Sequence, residues 1–194
     1  MRHAPRRRGQ EGLLFVEMMI TGALFALIAV TIMQFLTNQS DAVQTSMYQS
    51  DLRSDVQQAI RTMTGELQMA RRTAAETPPS VNVPAAPGNT TMTLFLPTDV
   101  DGTNGILDAL GNVEWNTLNP IQYVYDAAAQ QLTRVEGAAT RVLANDVTSA
   151  TFDDQQTDAT LLATEVRIQL TVQRVTPFGR TVSASANTVV RLRN

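Results

Sequence analysis

Gly12-Leu13-Leu14-Phe15-Val16-Glu17, followed by an apolar run that reaches Leu36, is the stretch that decides the fold. Ahead of it, residues 1–12 carry Arg2, Arg6, Arg7 and Arg8 against Glu11 alone, and residues 13–36 contain a single formal charge, Glu17. At about 1.5 Å per residue, 13–36 makes a helix of roughly 36 Å, enough to cross a bilayer core of about 30 Å. The arginines lie on one side, so the positive-inside rule places the N-terminus in the cytoplasm and the rest outside. A secretory signal peptide has a shorter apolar core with its small-residue cleavage site after it. Here the glycine comes before the apolar run. A cut at Gly12 removes the basic leader 1–12 and keeps the membrane helix 13–36.

The helical pattern continues beyond the membrane segment. Val43, Met47, Leu52, Val56, Ile60, Met63, Leu67 and Ala70 recur at spacings of three to five, one apolar stripe on a polar helix. No proline occurs from Leu13 to Arg72, and Gly22 and Gly65 are the only glycines there. Each weakens the helix by about 1 kcal/mol relative to Ala. Arg71 and Arg72 suit a helix C-terminus, and Pro78-Pro79 closes the segment. The spacing predicts an amphipathic helix over 37–72 that continues the membrane helix, about 60 residues or roughly 90 Å in all. Its stripe is expected to pack on the protein's own globular domain.

Residues 73–90 are rich in Thr, Ala, Pro, Ser and Asn and read as a connector. From residue 91 to 194 the period changes to two. Met92, Leu94 and Leu96 alternate with Thr91, Thr93 and Phe95. Ile121 to Tyr125 and Gln131 to Val135 form two strands around an Asp126–Gln130 turn. Val142-Leu143 begins a short strand, and Val147 to Phe152 continues it as strand or bulge. Glu165 to Val175 and Thr181 to Arg193 flank the turn Pro177-Phe178-Gly179. The whole is an α+β protein: a long N-terminal helix packed on a C-terminal antiparallel β-sheet domain, β-rich and exported.

Composition narrows the function. The chain has no Cys, so disulfides, thiol catalysis and cysteine-based zinc sites are excluded. Its one His is His3, in the leader. Every basic residue is Arg. Loss of residues 1–12 takes the formal net charge from −3 to −6, and an acidic chain without a basic patch argues against nucleic-acid binding. No phosphate-binding or dinucleotide fingerprint occurs. The residues point to no enzyme.

Three surface features invite a ligand, each with a plainer reading beside it. Asp99, Asp101, Asn104 and Asp108 lie on a glycine-rich loop and supply the hard oxygens that calcium takes. Their spacing is not that of an EF-hand, and Asp, Asn and Gly are also ordinary turn residues. Trp115, Tyr123 and Tyr125 form either an exposed binding cluster or half-buried sheet positions. Asp153, Asp154 and Asp158 read as an acidic run facing water.

The segment Gly12-Leu13-Leu14-Phe15-Val16-Glu17 resembles the class III signal of type IV prepilins and pseudopilins. Ile121-Gln-Tyr-Val-Tyr-Asp126, Gln131-Leu-Thr-Arg134, Val142 to Phe152, Glu66-Leu-Gln-Met-Ala70 and the terminal Val190-Arg-Leu-Arg-Asn194 resemble PilW-type minor pilins and the J-type minor pseudopilins of type II secretion. The resemblance implies a pilin-like fold and cleavage by prepilin peptidase between Gly12 and Leu13, with Leu13 then N-methylated. Phe or Met is the family's usual residue there. It also implies that Glu17 pairs with the N-terminal ammonium of a neighbouring subunit and sets the register of a filament. The plainer reading is that Glu17 sits at the cytoplasmic interface, tolerated by the positive end of the helix dipole. Expected partners are other minor pilins, the major pilin, prepilin peptidase, the inner-membrane assembly platform and the membrane itself. The expected location is a single-pass inner-membrane protein with its domain in the periplasm, then the tip of a pilus. A minor pseudopilin of type II secretion, and a membrane-anchored periplasmic binding module using Trp115 or the acidic loop, are the alternatives. Many major pilins carry a Pro in the membrane half of the helix. This chain has Gln34 and no Pro there.

Overall fold

The computed structural model describes residues 10–70, 81–84, 90–100, 102, 105–108, 110–111 and 113–192, with only the backbone of 10–14. Helix α1 spans Gln10–Met69, 60 residues. The absence of proline lets its ladder run unbroken, and Gly22 and Gly65 are both accommodated. By contacts the chain divides into two units, Met1–Ser46 and Met47–Asn194.

In the first unit every side chain from Phe15 to Ser40 is exposed. α1 is the one helix long and apolar enough, by length and composition, to cross a membrane. Its hydroxyls are satisfied within the helix: Thr21, Thr31 and Thr37 each donate to the carbonyl four residues back, at 2.9, 3.1 and 2.5 Å. This suits a helix in a medium without water, where polar groups must find partners inside the segment.

In the second unit α1 turns one stripe inward. Leu52, Val56, Ala59, Met63, Leu67 and Ala70 are buried in a core shared with the strands. The expected stripe began earlier, at Val43 and Met47. Both are exposed, at 55% and 63%, and the fully buried apolar positions of the helix begin at Leu52. The helix ladder also ends at Met69, and Arg71, Arg72 and Pro78-Pro79 lie outside the described residues.

The strands are β1 (Val81–Asn82), β2 (Thr91–Leu94), β3 (Ile121–Asp126), β4 (Gln131–Glu136), β5 (Ala139–Ala144), β6 (Val147–Asp153), β7 (Glu165–Val175) and β8 (Thr181–Arg191). They make two antiparallel sheets, one ordered β1-β2-β3-β4-β5 and the other β6-β7-β8. Two expectations are corrected here. The 73–90 connector contains β1, where Val81 and Val83 alternate inward and Val81 pairs with Leu94. The prolines and Asn around it mask this two-residue ladder in the sequence. Second, Val142-Leu143 and Val147–Phe152 do not form one continued strand. Asp146 adopts a left-handed conformation (φ 57°) and moves the chain from the first sheet to the second. Its carbonyl accepts from Gln173 N–H at 2.8 Å, and its carboxylate accepts from Arg174 Nε at 2.7 Å.

The β4–β5 turn needs its glycine. Gly137 has φ 55°, and a Cβ there would meet Asn119 Oδ1 at 2.9 Å. Both sheets contribute to one core, in which Tyr123, Phe152, Met92 and Leu170 are among the large fully buried side chains.

Candidate functional site

The segment in which processing is expected lies within α1, whose backbone includes Gly12 and Leu13. Glu17 is exposed, and its carboxylate has no partner among the described residues. Its backbone carbonyl is taken by Thr21. Residues 15–36 thus present a largely apolar surface with one formal charge, Glu17, that has no partner among the described residues. A carboxylate at the centre of a membrane helix costs about 2.5–3.5 kcal/mol on insertion scales. A cationic partner would offset that cost.

The acidic loop is only partly within the described residues, which exclude Asp101 and Asn104. Asp99 Oδ1 accepts the Gly102 N–H at 2.7 Å, and Asp108 Oδ1 accepts the Leu110 N–H at 2.8 Å. Both acids thus close local turns. Among the described residues no group of three or more His, Cys, Asp or Glu side chains could hold a metal ion. Beside the loop, Thr98, Asp99, Val100, Trp115, Asn116, Thr117 and Leu118 line an open depression of about 260 Å³.

The three aromatic residues do not cluster on the surface. Tyr123 is fully buried, Tyr125 is partly buried with its hydroxyl on the Val147 carbonyl at 3.2 Å, and Trp115 is half-buried beside a bridge to Pro97. The acidic run is also not a uniform wet face. Asp154 is 1% exposed and caps its own turn, accepting from Gln156 N–H at 2.9 Å. Asp158 pairs with Arg167, and its carboxyl is held below the usual range, first by the Thr160 hydroxyl and amide and then by Arg167.

One polar cluster is absent from the sequence reading. Glu66, on the inner side of α1, accepts the Tyr123 hydroxyl and, at 2.9 Å, Arg134 Nε. Arg134 Nη1 also reaches Glu136 at 2.7 Å. Tyr123 and Arg134 face each other across β3 and β4. Burial, then the hydrogen bond to Glu66, push the Tyr123 phenol far above its ordinary value. Burial works against the Arg134 charge, but the Glu136 hydrogen bond and the Glu66 carboxylate outweigh it and raise its pKa. The cluster ties helix to sheet in a protein without disulfides. A signal for it existed. The four-residue turn 127–130 pairs Asp126 with Gln131, and counting back from it sets Tyr123 against Arg134.

No family model, curated protein or solved structure matches the chain.

Proposed function

We propose that the chain is a minor pilin, a structural and non-catalytic subunit that primes a type IV pilus or sits at its tip. One observation carries the reading: an apolar helix exposed from Phe15 to Leu36 that holds a single carboxylate, Glu17, five residues past Gly12 and without a partner among the described residues. A lone membrane anchor has no use for an acid at that depth. A helix that packs among others in a filament core does, if each new subunit brings an N-terminal ammonium to pair with it. The second unit supports the reading as a folded domain able to meet neighbouring subunits. Its partners would be other minor pilins, the major pilin and the inner-membrane assembly platform. It would travel from the inner membrane to the pilus. A calcium ion at the 99–108 loop remains a separate proposal.

Processing tests this directly. Expressed with prepilin peptidase, the protein should lose residues 1–12 and gain a methyl group on Leu13, read by mass spectrometry. Gly12→Val should block the cut by placing a branched side chain at the scissile position. Glu17→Ala should still be cut and inserted, since it removes a charge from an apolar segment. That variant should be scarce in sheared filaments. A functional protein that keeps its leader would overturn the reading.

A further inference from the structure

Among the described residues the three-stranded sheet ends at β8, and the ladder fixes which groups of β8 face that edge. Thr176 N–H donates to the Arg180 carbonyl at 2.7 Å, and Leu192 N–H to the Thr164 carbonyl at 2.8 Å. Both pairs extend the β7–β8 register, in which Glu165 faces Arg191 and Val175 faces Thr181. Hydrogen-bonded pairs recur at every second residue of an antiparallel ladder. The even-numbered residues of β8 therefore turn their N–H and C=O groups toward β7. Thr181, Ser183, Ser185, Asn187, Val189 and Arg191 turn theirs outward, and their side chains are all exposed.

Other strand edges in the molecule are blunted. β1 is two residues long. β5 carries Arg141, and its ladder with β4 shifts register between Leu132 and Thr133. β6 shifts between Val147 and Ser149, and its start is tied to the first sheet through Val147 N–H on the Gln130 carbonyl at 2.9 Å. β8 differs. It pairs with β7 over eleven residues without a shift and has no proline and no charge from Thr181 to Val190. Charge, proline and bulges are the usual protection of a long edge, because an unpaired row of backbone groups templates another strand.

We propose that β8 pairs with β8 of a second copy of this chain, antiparallel across a two-fold axis, joining two three-stranded sheets into one. The strand is complementary to itself. In the register of full overlap Ala186 sits on the axis, Ser185 faces Asn187, Ser183 faces Val189, and Thr181 faces Arg191. Outward-facing residues meet outward-facing residues, as the shared ladder requires. A slip of one residue would set outward groups against inward ones. No like charges oppose each other. The centre, Ala184-Ser185-Ala186, is small on both faces, so the backbones can close to the roughly 4.8 Å of paired strands. A single patch used by both copies is the ordinary form of a two-fold interface. The inference does not depend on the pilus reading.

The chain has no Cys, so introduced thiols report without background. The test uses the full-length protein in detergent micelles under mild oxidation. Residues facing each other in such a pair lie about 5.5 Å apart at Cα, within disulfide reach. Ser185→Cys mixed with Asn187→Cys should give a covalent dimer. It should form roughly tenfold faster or more than Ser185→Cys mixed with Ser149→Cys on β6, because pairing raises the effective concentration of the thiols. Ser183→Cys mixed with Val189→Cys should behave like the first mixture. Ser185→Pro removes an outward N–H that bonds nothing among the described residues, so circular dichroism and Tm should hold, as edge prolines allow. In that background the Ser183/Val189 dimer should disappear. Equal rates in all mixtures, or a dimer that survives Ser185→Pro with the fold intact, would overturn the proposal. If Ser185→Pro unfolds the protein, the comparison of mixtures on the unsubstituted backbone decides alone.

Discussion

Arg134, Glu66 and Tyr123 show how much one residue can carry where no disulfide exists. The side chains of Arg134 and Glu66 keep 18% and 15% of their exposure. Removing one member of a buried pair strands the other, at about 3–5 kcal/mol for full burial. Arg134→Ala should sit near the lower end, read as a lost chemical-denaturation midpoint with an unchanged slope. Tyr123→Phe removes one donor to Glu66 and should cost about 1–3 kcal/mol. The raised phenol pKa gives that variant a pH signature. A group whose folded pKa lies above its unfolded value holds its proton in the folded state. Its contribution is complete below the unfolded value of about 10 and is lost as pH rises beyond it. Wild-type stability should therefore fall above that pH, and the fall should be shallower in Tyr123→Phe. The Asp126–Gln130 turn expected from the sequence sets Tyr123 against Thr133, one residue off, because Asp126 belongs to the strand and pairs with Gln131. The meeting of Tyr123 and Arg134 with Glu66 was not legible, because the azimuth of a helix over a sheet is set by core packing and by no local pattern.

The helix is the element the sequence specified best. Its apolar run, its stripe and its lack of proline gave its type and most of its extent. The inner stripe began later than periodicity implied, since Val43 and Met47 have the right spacing but remain exposed. Period alone cannot tell a face that is covered from one that is merely apolar. Gly65 offers a clean test of the element. A Cβ there meets nothing within 4 Å, and the position is exposed. Gly65→Ala should raise stability by about 0.5–1 kcal/mol, measured as a higher Tm. Leu67, fully buried two residues on, should show the opposite: Leu67→Ala opens a cavity and should cost about 2–5 kcal/mol. Equal effects from the two substitutions would mean that the stripe does not face the core. Among the strands, β3, β4, β7 and β8 were legible from alternation. β1 was hidden by its length, and the change of sheet at Asp146 was hidden because left-handed backbone at a non-glycine residue leaves no mark in the pattern.

At the scale of the molecule, the acidic loop separates two accounts of how the second unit is stabilised. As turns, Asp99 and Asp108 need no cation. As a calcium site, the loop would add ligand-linked stability of about 2.7 kcal/mol at a hundredfold excess over the dissociation constant. On the calcium proposal, chelation should lower the Tm, and Asp99→Ala with Asp101→Ala should abolish that response. An unchanged Tm on chelation returns the loop to a turn. The composition that excludes disulfides was plain from the sequence. What takes their place, a shared core and one ionic tie, was not, because both depend on contacts between residues far apart in the chain.

That arrangement has a mechanical side. The second unit holds α1 through a buried stripe from Leu52 to Ala70 and the Glu66 tie near the end of the helix, with no disulfide between helix and strands. Tension drawing the helix of the second unit, residues 47–69, along its own axis would load the stripe in the direction it runs. Its contacts would then be loaded in parallel, as in a lap joint under shear, and would not peel one at a time. The tie lies at the far end of that joint. Loaded together with the apolar contacts on either side of it, Met63 and Leu67, it would add a directional ionic grip to contacts that have no direction of their own.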